Sequence, residues 1–487
     1  MNKNIFLLAG LIVAIAFTGC RKDFEEINTN PNEPTAVSTG FLLTAAQKRI
    51  MDENMDSFWG SRRGMQMSQF WSSNQYSNES RYQFRSDVTN GAWRDFYAGV
   101  LQDLQQIIDL NTDSPDDVSG YGDNGNQIAV ATVLQAWTYQ LLTDAFGAIP
   151  MGEALSGTDN LSPAYDSQQA VYGKLISMLD GAIAGMDAGA PGPNGDQLYG
   201  GDMSAWKTFA NSLKLRVAMR MSDVDAAGAK AAGESAIAGG VITANADNAA
   251  FPYIDAAPNN NPVNEANKTR NDFAASNTMI DFLTGLNDPR MQIYYEPSAS
   301  DGVYIGEVYG LDETNAALTP DAVVSQPGAM ALGGGLPGIF MDAAQVNFLL
   351  AEAAERGWAG AGDAEANYNA GVTASFEFWG ADGVADYLAQ ADVAYGSAAG
   401  TYSERIGRQK WVALYMQGQE AWAEYRRMDF GVLLPCADGA LAGDGSVPSR
   451  MEYPLDEQTL NYDSYSAGVA SLGGADALET KLWWDVN

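Results

Sequence analysis

Cys20 is the first residue of this 487-residue chain whose surroundings dictate a chemistry. It follows Phe17-Thr18-Gly19, and small residues before a cysteine leave its thiol open to diacylglycerol transfer and the preceding bond open to cleavage. Upstream, Lys3 supplies a positive charge and Ile5 to Phe17 form an apolar run of about 13 residues. That run suits a signal-peptide core and is too short to cross a roughly 30 Å hydrocarbon layer. The expectation is a signal peptide over 1–19 and a mature chain anchored through acyl chains on Cys20. Each buried methylene would contribute about 0.8 kcal/mol to that anchoring. The alternative is an ordinary secreted chain with a chance cysteine near its cleavage site. The other cysteine, Cys436, then has no partner for an internal disulfide and reads as a small buried residue.

A second chemistry is the grip of flat rings combined with amides. Phe70-Trp71-Ser72-Ser73-Asn74-Gln75-Tyr76, continuing through Arg81-Tyr82-Gln83-Phe84, alternates aromatics with hydrogen-bonding side chains. Sugars and peptides are both held this way. From this stretch Trp71, Asn74, Tyr76, Arg81 and Tyr82 are candidate ligand contacts. Tyr253 with Asn259 and Asn260, in a proline-flanked loop, form a second group, and Tyr304 a third in a glycine-rich segment. Each of these aromatics can equally be packed beneath its own loop. Trp137, Trp206, Trp379, Trp411 and Trp422 lie on apolar helix stripes and belong to the core.

Other chemistries lack their residues. There is no histidine, which removes the usual general base and imidazole metal sites. No G-x-S-x-G elbow occurs. Asp113, Asp116, Asp117 and Asp123 could suggest calcium, but their spacing is not that of an EF-hand loop. No cofactor or metal is called for. With 61 acidic residues some carboxylate pair will always fall at a glycosidase-like separation, so their number supports no enzyme. The net charge of −34 disfavours nucleic acid and anionic headgroups as partners.

The elements that would position these residues are mostly helical. Val130, Leu134, Trp137 and Leu141 form one apolar stripe, and Val171, Leu175, Met178, Leu179 and Ile183 another, with Ser162-Pro163 as its expected start. Trp206, Phe209, Leu213 and Val217 make a third. A last long helix is expected from about Ser403 to Met428. Asp342 to Arg356 and Asp363 to Trp379 read as a helix–turn–helix unit similar to tetratricopeptide architecture. Long loops rich in Gly, Asp, Asn and Pro separate the helices. No composition shift divides the chain. The reading is a lipidated tether over 20–39, then one mostly α domain over 40–487, a tetratricopeptide-like helix-pair scaffold with long irregular loops.

Several stretches match motifs of a known family. They are Leu141-Leu142-Thr143-Asp144-Ala145-Phe146-Gly147-Ala148-Ile149-Pro150 with Glu153-Ala154-Leu155, and Trp206 through Arg220. Asn287-Asp288-Pro289-Arg290 and Leu350 through Trp358 are further matches. So are Gln409-Lys410-Trp411 with Glu420-Ala421-Trp422, Tyr425-Arg426-Arg427, and Pro448 through Pro454. Each is weak alone; in this order the set is strong and resembles the SusD/RagB family of nutrient-binding outer-membrane lipoproteins. The resemblance implies a non-catalytic receptor that passes an oligosaccharide or peptide to a TonB-dependent SusC-like transporter in the outer membrane. Lys22-Asp23 and Glu25-Glu26 are similar to the family's signal for the outer leaflet, although Arg21 and Phe24 interrupt it. The competing readings are a surface glycoside hydrolase and a structural or adhesion lipoprotein. Most motif residues are expected to build the fold, with arginines of the Trp206–Arg220 stretch and Arg426-Arg427 paired to Asp144, Glu153 or Glu352.

Overall fold

The long helices of the computed structural model, which describes residues 37–487, are α1 (Thr39–Asn54), α2 (Gln102–Asp113), α3 (Asn124–Phe146), α4 (Gln168–Gly185) and α5 (Met203–Arg220). They continue as α6 (Ala226–Gly239), α7 (Ala343–Glu355), α8 (Ala364–Trp379), α9 (Tyr402–Ala413) and α10 (Gly418–Met428). Cys20, the expected signal peptide and nearly all of the expected tether lie outside the described residues. Thr39–Asn487 forms one compact unit.

Acidic residues start many of these helices. Asp123, Asp202, Asp225, Asp342 and Asp363 each accept a backbone N–H from the first turn that follows. Such a cap contributes about 1 kcal/mol. Thr401 and Glu404 close a reciprocal capping box at α9. Part of the negative charge therefore sits where orphan amides and the helix dipole favour it.

Successive helices pack in pairs, α3 on α4, α5 on α6, α7 on α8 and α9 on α10, as the helix-pair reading predicts. The turn between α7 and α8 carries Trp358, whose ring lies against Gly233 of α6; a Cβ there would come 2.1 Å from the ring. Within the pair, Gly371 of α8 lets the Phe348 ring of α7 approach. Trp137, Trp206, Trp379, Trp411 and Trp422 are all buried in the main core, and Cys436 is buried in a smaller cluster with Tyr82, Tyr309 and Leu478.

Two expected boundaries move. The stretch from Ser403 to Met428 is two helices, because the chain breaks at 414–417 with Met416 in the left-handed region at φ 69°. The helix after Ser162-Pro163 begins later, capped by Ser167, since Tyr165–Asp166 first pairs with Ile149–Pro150 as a short ladder. The long inter-helix segments also contain short helices, Pro115–Val118, Pro262–Asn267 and Glu313–Ala316 among them. Strands are few and short. The pair that matters for the site is β1 (Trp71–Ser73), antiparallel to β2 (Phe273–Ala275).

Candidate functional site

The motif arginines lie inside the helical body. Arg220 of α5 reaches Glu420 and Glu424 of α10, each at 2.7 Å, and Asp144 of α3 at 3.4 Å. Arg427 pairs with Glu352 and Glu424, and Lys410 adds a further cation 2.8 Å from Glu424. These cations overcome the burial penalty and hold the Glu424 carboxyl well below its usual range. Glu153, the third expected partner, is exposed and accepts from Asn160 and the Ala164 amide instead. A narrow cavity of about 50 Å³ beside Gln140, Asp144, Arg216, Glu420 and Arg426 has room for a few water molecules. This network fixes helix packing.

The surface site grows from the chain between α1 and β1. A π-helical segment, Trp59–Met65, buries Arg62 and Arg63. After it, Gln69 takes φ 53° and turns the chain into β1. Its side chain holds that turn in place: Nε2 donates to Leu434 O at 2.6 Å, and Oε1 accepts from Leu434 N at 2.9 Å and from Thr278 at 2.5 Å. β1 then pairs Trp71 with Ala275, Ser72 with Ala274 and Ser73 with Phe273.

Beyond β1, Tyr76 takes φ 55° and projects its ring outward with 57% of the residue exposed. The guanidinium carbons of Arg62 and Arg270 lie 5.4 and 5.1 Å from the ring centroid, so two cations lie within cation–π reach of one exposed aromatic. Asp272 holds both arginines, Arg62 at 2.7 Å and Arg270 at 2.8 Å. Glu313 accepts from the backbone of Ser77 at 3.1 Å and of Tyr76 at 3.4 Å, fastening the loop from the other side. Burial beside Arg85 lowers the Arg63 guanidinium to about 10, against the pull of Glu79 at 2.9 Å. Tyr76, Arg62, Arg270, Asn78, Gln83 and Phe84 line an open groove of about 740 Å³. Flat rings, amide side chains and paired charges in a concave surface are a ligand-gripping arrangement.

The other candidates lie apart from this groove. Trp71 is fully buried: its Nε1 donates to Tyr415 Oη at 3.0 Å and its ring packs on Phe273 at 5.4 Å. Asn74 is buried and donates to Asp321 at 2.6 Å. Arg81 donates to the Asp438 and Gly439 carbonyls, tying the loop to the C-terminal segment, and Tyr82 is buried beside Cys436. Tyr253 is buried with its hydroxyl on Asp52 at 2.8 Å. Asn260 is buried and donates to Asn264 and Glu265; Asn259 is exposed; Tyr304 is half-buried against the core. Of the nine candidates only Tyr76 lines the groove. Arg62, Arg270 and Glu313 were not singled out beforehand. The Arg62-Arg63 pair inside an apolar stretch was the available signal, since buried arginines need partners.

Among the described residues no helix is long and apolar enough to cross a membrane. No curated protein matches the chain at a significant level. Solved structures do. A chitin-binding protein superposes with a TM-score of 0.80 at 28% identity, covering 92% of this chain and 100% of its own. A SusD homolog from Bacteroides uniformis gives 0.79 at 27%, covering 92% and 100%. A chitin-binding SusD homolog from Flavobacterium johnsoniae gives 0.77 at 26%, covering 92% and 98%. A SusD-like family model, described as starch-binding and associating with the outer membrane, matches residues 31–454. Spanning most of the chain, that match makes this protein a member of the SusD-like family of outer-membrane-associated proteins.

Proposed function

We propose that the protein is a non-catalytic surface receptor that captures a neutral oligosaccharide in the Tyr76 groove and passes it to a SusC-like TonB-dependent transporter. The observation that carries this reading is the exposed Tyr76 ring beside Arg62 and Arg270 at an open groove. The family description of starch binding and the chitin binding of two structural relatives support a glycan over a peptide. Two of the groove's carboxylates are engaged in holding the loop, Glu79 by Arg62 and Arg63 and Glu313 by two backbone amides. That arrangement suits grip rather than proton transfer. Acylation of Cys20 would keep the receptor at the membrane surface.

The test is calorimetric titration of the purified protein with chitin- and starch-derived oligosaccharides and with peptides, with product analysis of each mixture. Saturable oligosaccharide binding without turnover, lost in Tyr76→Ala, is the expected result. Product formation abolished by one carboxylate substitution would replace the receptor with a hydrolase, and peptide binding alone would change the ligand class. Extraction of the intact protein together with a large β-barrel tests the partner. Failure of Cys20→Ala to abolish lipid labelling would overturn the anchor.

A further inference from the structure

Three aromatic rings line the Tyr76 groove, and an arginine lies within cation–π reach of each. The arginines differ in how they are held. Arg62, beside Tyr76, is buried and bonded to Asp272 at 2.7 Å, and the Tyr76 ring stays exposed. Arg63 lies 4.3 Å from the Phe84 centroid and is fully buried, donating to Glu79 at 2.9 Å and to the Arg85 carbonyl at 2.8 Å. Uncovering Phe84 would break those buried, charged hydrogen bonds. The Arg85 guanidinium lies 4.8 Å over the Phe58 centroid and has no such hold. Its one ion pair among the described residues is with Asp87 at 3.7 Å, where the two side chains are 50% and 76% exposed. An exposed pair that long contributes little, and the nearby Arg63 charge repels Arg85.

Phe58 itself is firmly placed. It immediately precedes the π-helical segment Trp59–Met65, and Asp56 Oδ1 accepts from its backbone N–H at 3.0 Å and from that of Gly60 at 2.8 Å. It stands four residues before Arg62, about one turn of such a helix, and both side chains line the groove. The Phe58 ring is half-buried, and the exposed side chains of Asn78, Gln83 and Ser86 line the groove as well. A sugar ring presents an apolar face and a rim of hydroxyls, which a flat aromatic face and neighbouring amides match. Phe58 has no polar atom on its ring, so a ligand can use only its face.

We propose that Phe58 is a second sugar platform in this groove and that the Arg85 side chain is its removable cover. The inference rests on the receptor reading and sharpens its ligand class. The groove selects a chain long enough to reach Phe58 as well as Tyr76, because a shorter one leaves Arg85 in place. Of the three rings, Tyr76 is open, Phe84 is closed and Phe58 is gated. Displacing Arg85 gives up one weak ion pair and one exposed cation–π contact, and a sugar stacked on Phe58 takes the place of the second. The Arg85 main chain stays where it is, since its carbonyl holds Arg63, so only the side chain swings.

Calorimetric titration of the wild type, Arg85→Ala and Phe58→Leu with chitin- and starch-derived disaccharides to hexasaccharides tests this. Wild-type affinity should rise with chain length. Arg85→Ala removes the cover and should tighten the longest oligomers by about two- to fivefold while leaving the shortest unchanged. Phe58→Leu keeps the apolar bulk without the flat face, so it should bind short oligomers as the wild type does and lose the gain with length. Should Phe58→Leu not fold, Arg85→Ala, at an exposed side chain, decides. Weaker binding of long oligomers by Arg85→Ala would make Arg85 a ligand contact rather than a cover and overturn the proposal. Equal affinities of Phe58→Leu and the wild type at every length would overturn it too, and with binding still lost in Tyr76→Ala the receptor reading would stand. No binding by the wild type at any length would remove that reading and this inference together.

Discussion

Arg427 meets Glu352 in a two-pronged pair, Nη1 to Oε1 at 2.7 Å and Nη2 to Oε2 at 2.6 Å, with both side chains sealed from solvent. The pair joins α10 to α7, and Glu424 takes a second bond from the same guanidinium at 2.7 Å. Burying such charges costs several kcal/mol each, which only matched geometry offsets. Arg427 and Arg356 keep the Glu352 carboxyl below its usual range despite its burial.

Removing one partner leaves the other charge buried alone. Arg427→Ala and Glu352→Ala should each lower unfolding stability by about 3–5 kcal/mol in urea titration. Arg427→Lys should recover little, because an ammonium cannot make the forked contact. Glu352 is depressed when folded, so its share of stability is present above the unfolded value and lost as pH falls. The Arg427→Ala protein should therefore show a flatter acid limb than the wild type. Parallel acid limbs would refute this assignment.

Tyr76 and Trp71 stand five residues apart and should behave oppositely. Tyr76→Ala removes an exposed ring and should weaken oligosaccharide binding tenfold or more, about 1.4 kcal/mol, with Tm almost unchanged. Trp71→Ala empties a buried site and breaks the bond to Tyr415, costing about 3–5 kcal/mol of stability. A Trp71→Ala protein of wild-type stability that no longer binds would reverse the two roles.

Most helices and several of their starts were readable because periodicity and capping are local, although the start expected at Ser162-Pro163 gives way to a Ser167 cap. Asp342 and Asp363 precede their helices as expected, and the five stripe tryptophans are core. The break inside 403–428 was not readable, since it depends on a left-handed Met416 that no residue type announces. The site divides the same way. The aromatic run around Tyr76 stood out by composition, but which ring faces water depends on the turn at Gln69 and on pairing with β2, far along the chain. Arg270 and Glu313 join Tyr76 only through that long-range pairing.

Glu53, near the end of α1, carries a pH dependence. Burial, with the charges of Asp56, Asp95 and Asp52 around it, raises its carboxyl to about 8. A carboxyl raised on folding contributes stability below its unfolded value, and that contribution is lost as pH climbs through the folded one. The window therefore runs from about pH 4.5 to about pH 8. Glu53→Gln removes the proton uptake, so its Tm should fall less than that of the wild type across this range. Curves that stay parallel from pH 5 to pH 9 would remove Glu53 from the account.

Gly418, at the start of α10, touches the backbone of the π-helical segment that carries Arg62. A Cβ on Gly418 would lie 2.3 Å from Gly64 C and 2.4 Å from Met65 N, and one on Gly64 would lie 2.9 Å from Gln419 N. These neighbours are backbone, so no rotamer change relieves the collision. The contact is also bonded across, with Ser68 Oγ donating to Gly418 O at 2.7 Å and Gln419 Nε2 to Trp59 O at 3.0 Å. Gly418→Ala must push α10 away from the segment that sets Arg62 beneath Tyr76. The expected outcome is a loss of about 1–3 kcal/mol together with weaker oligosaccharide binding, although Gly418 lies outside the groove. Gly173→Ala, in α4 with nothing within 4 Å of its new Cβ, is the control and should stabilise by about 0.5–1 kcal/mol. If Gly418→Ala matched that control, close backbone contact would not be what holds the arginine platform in place.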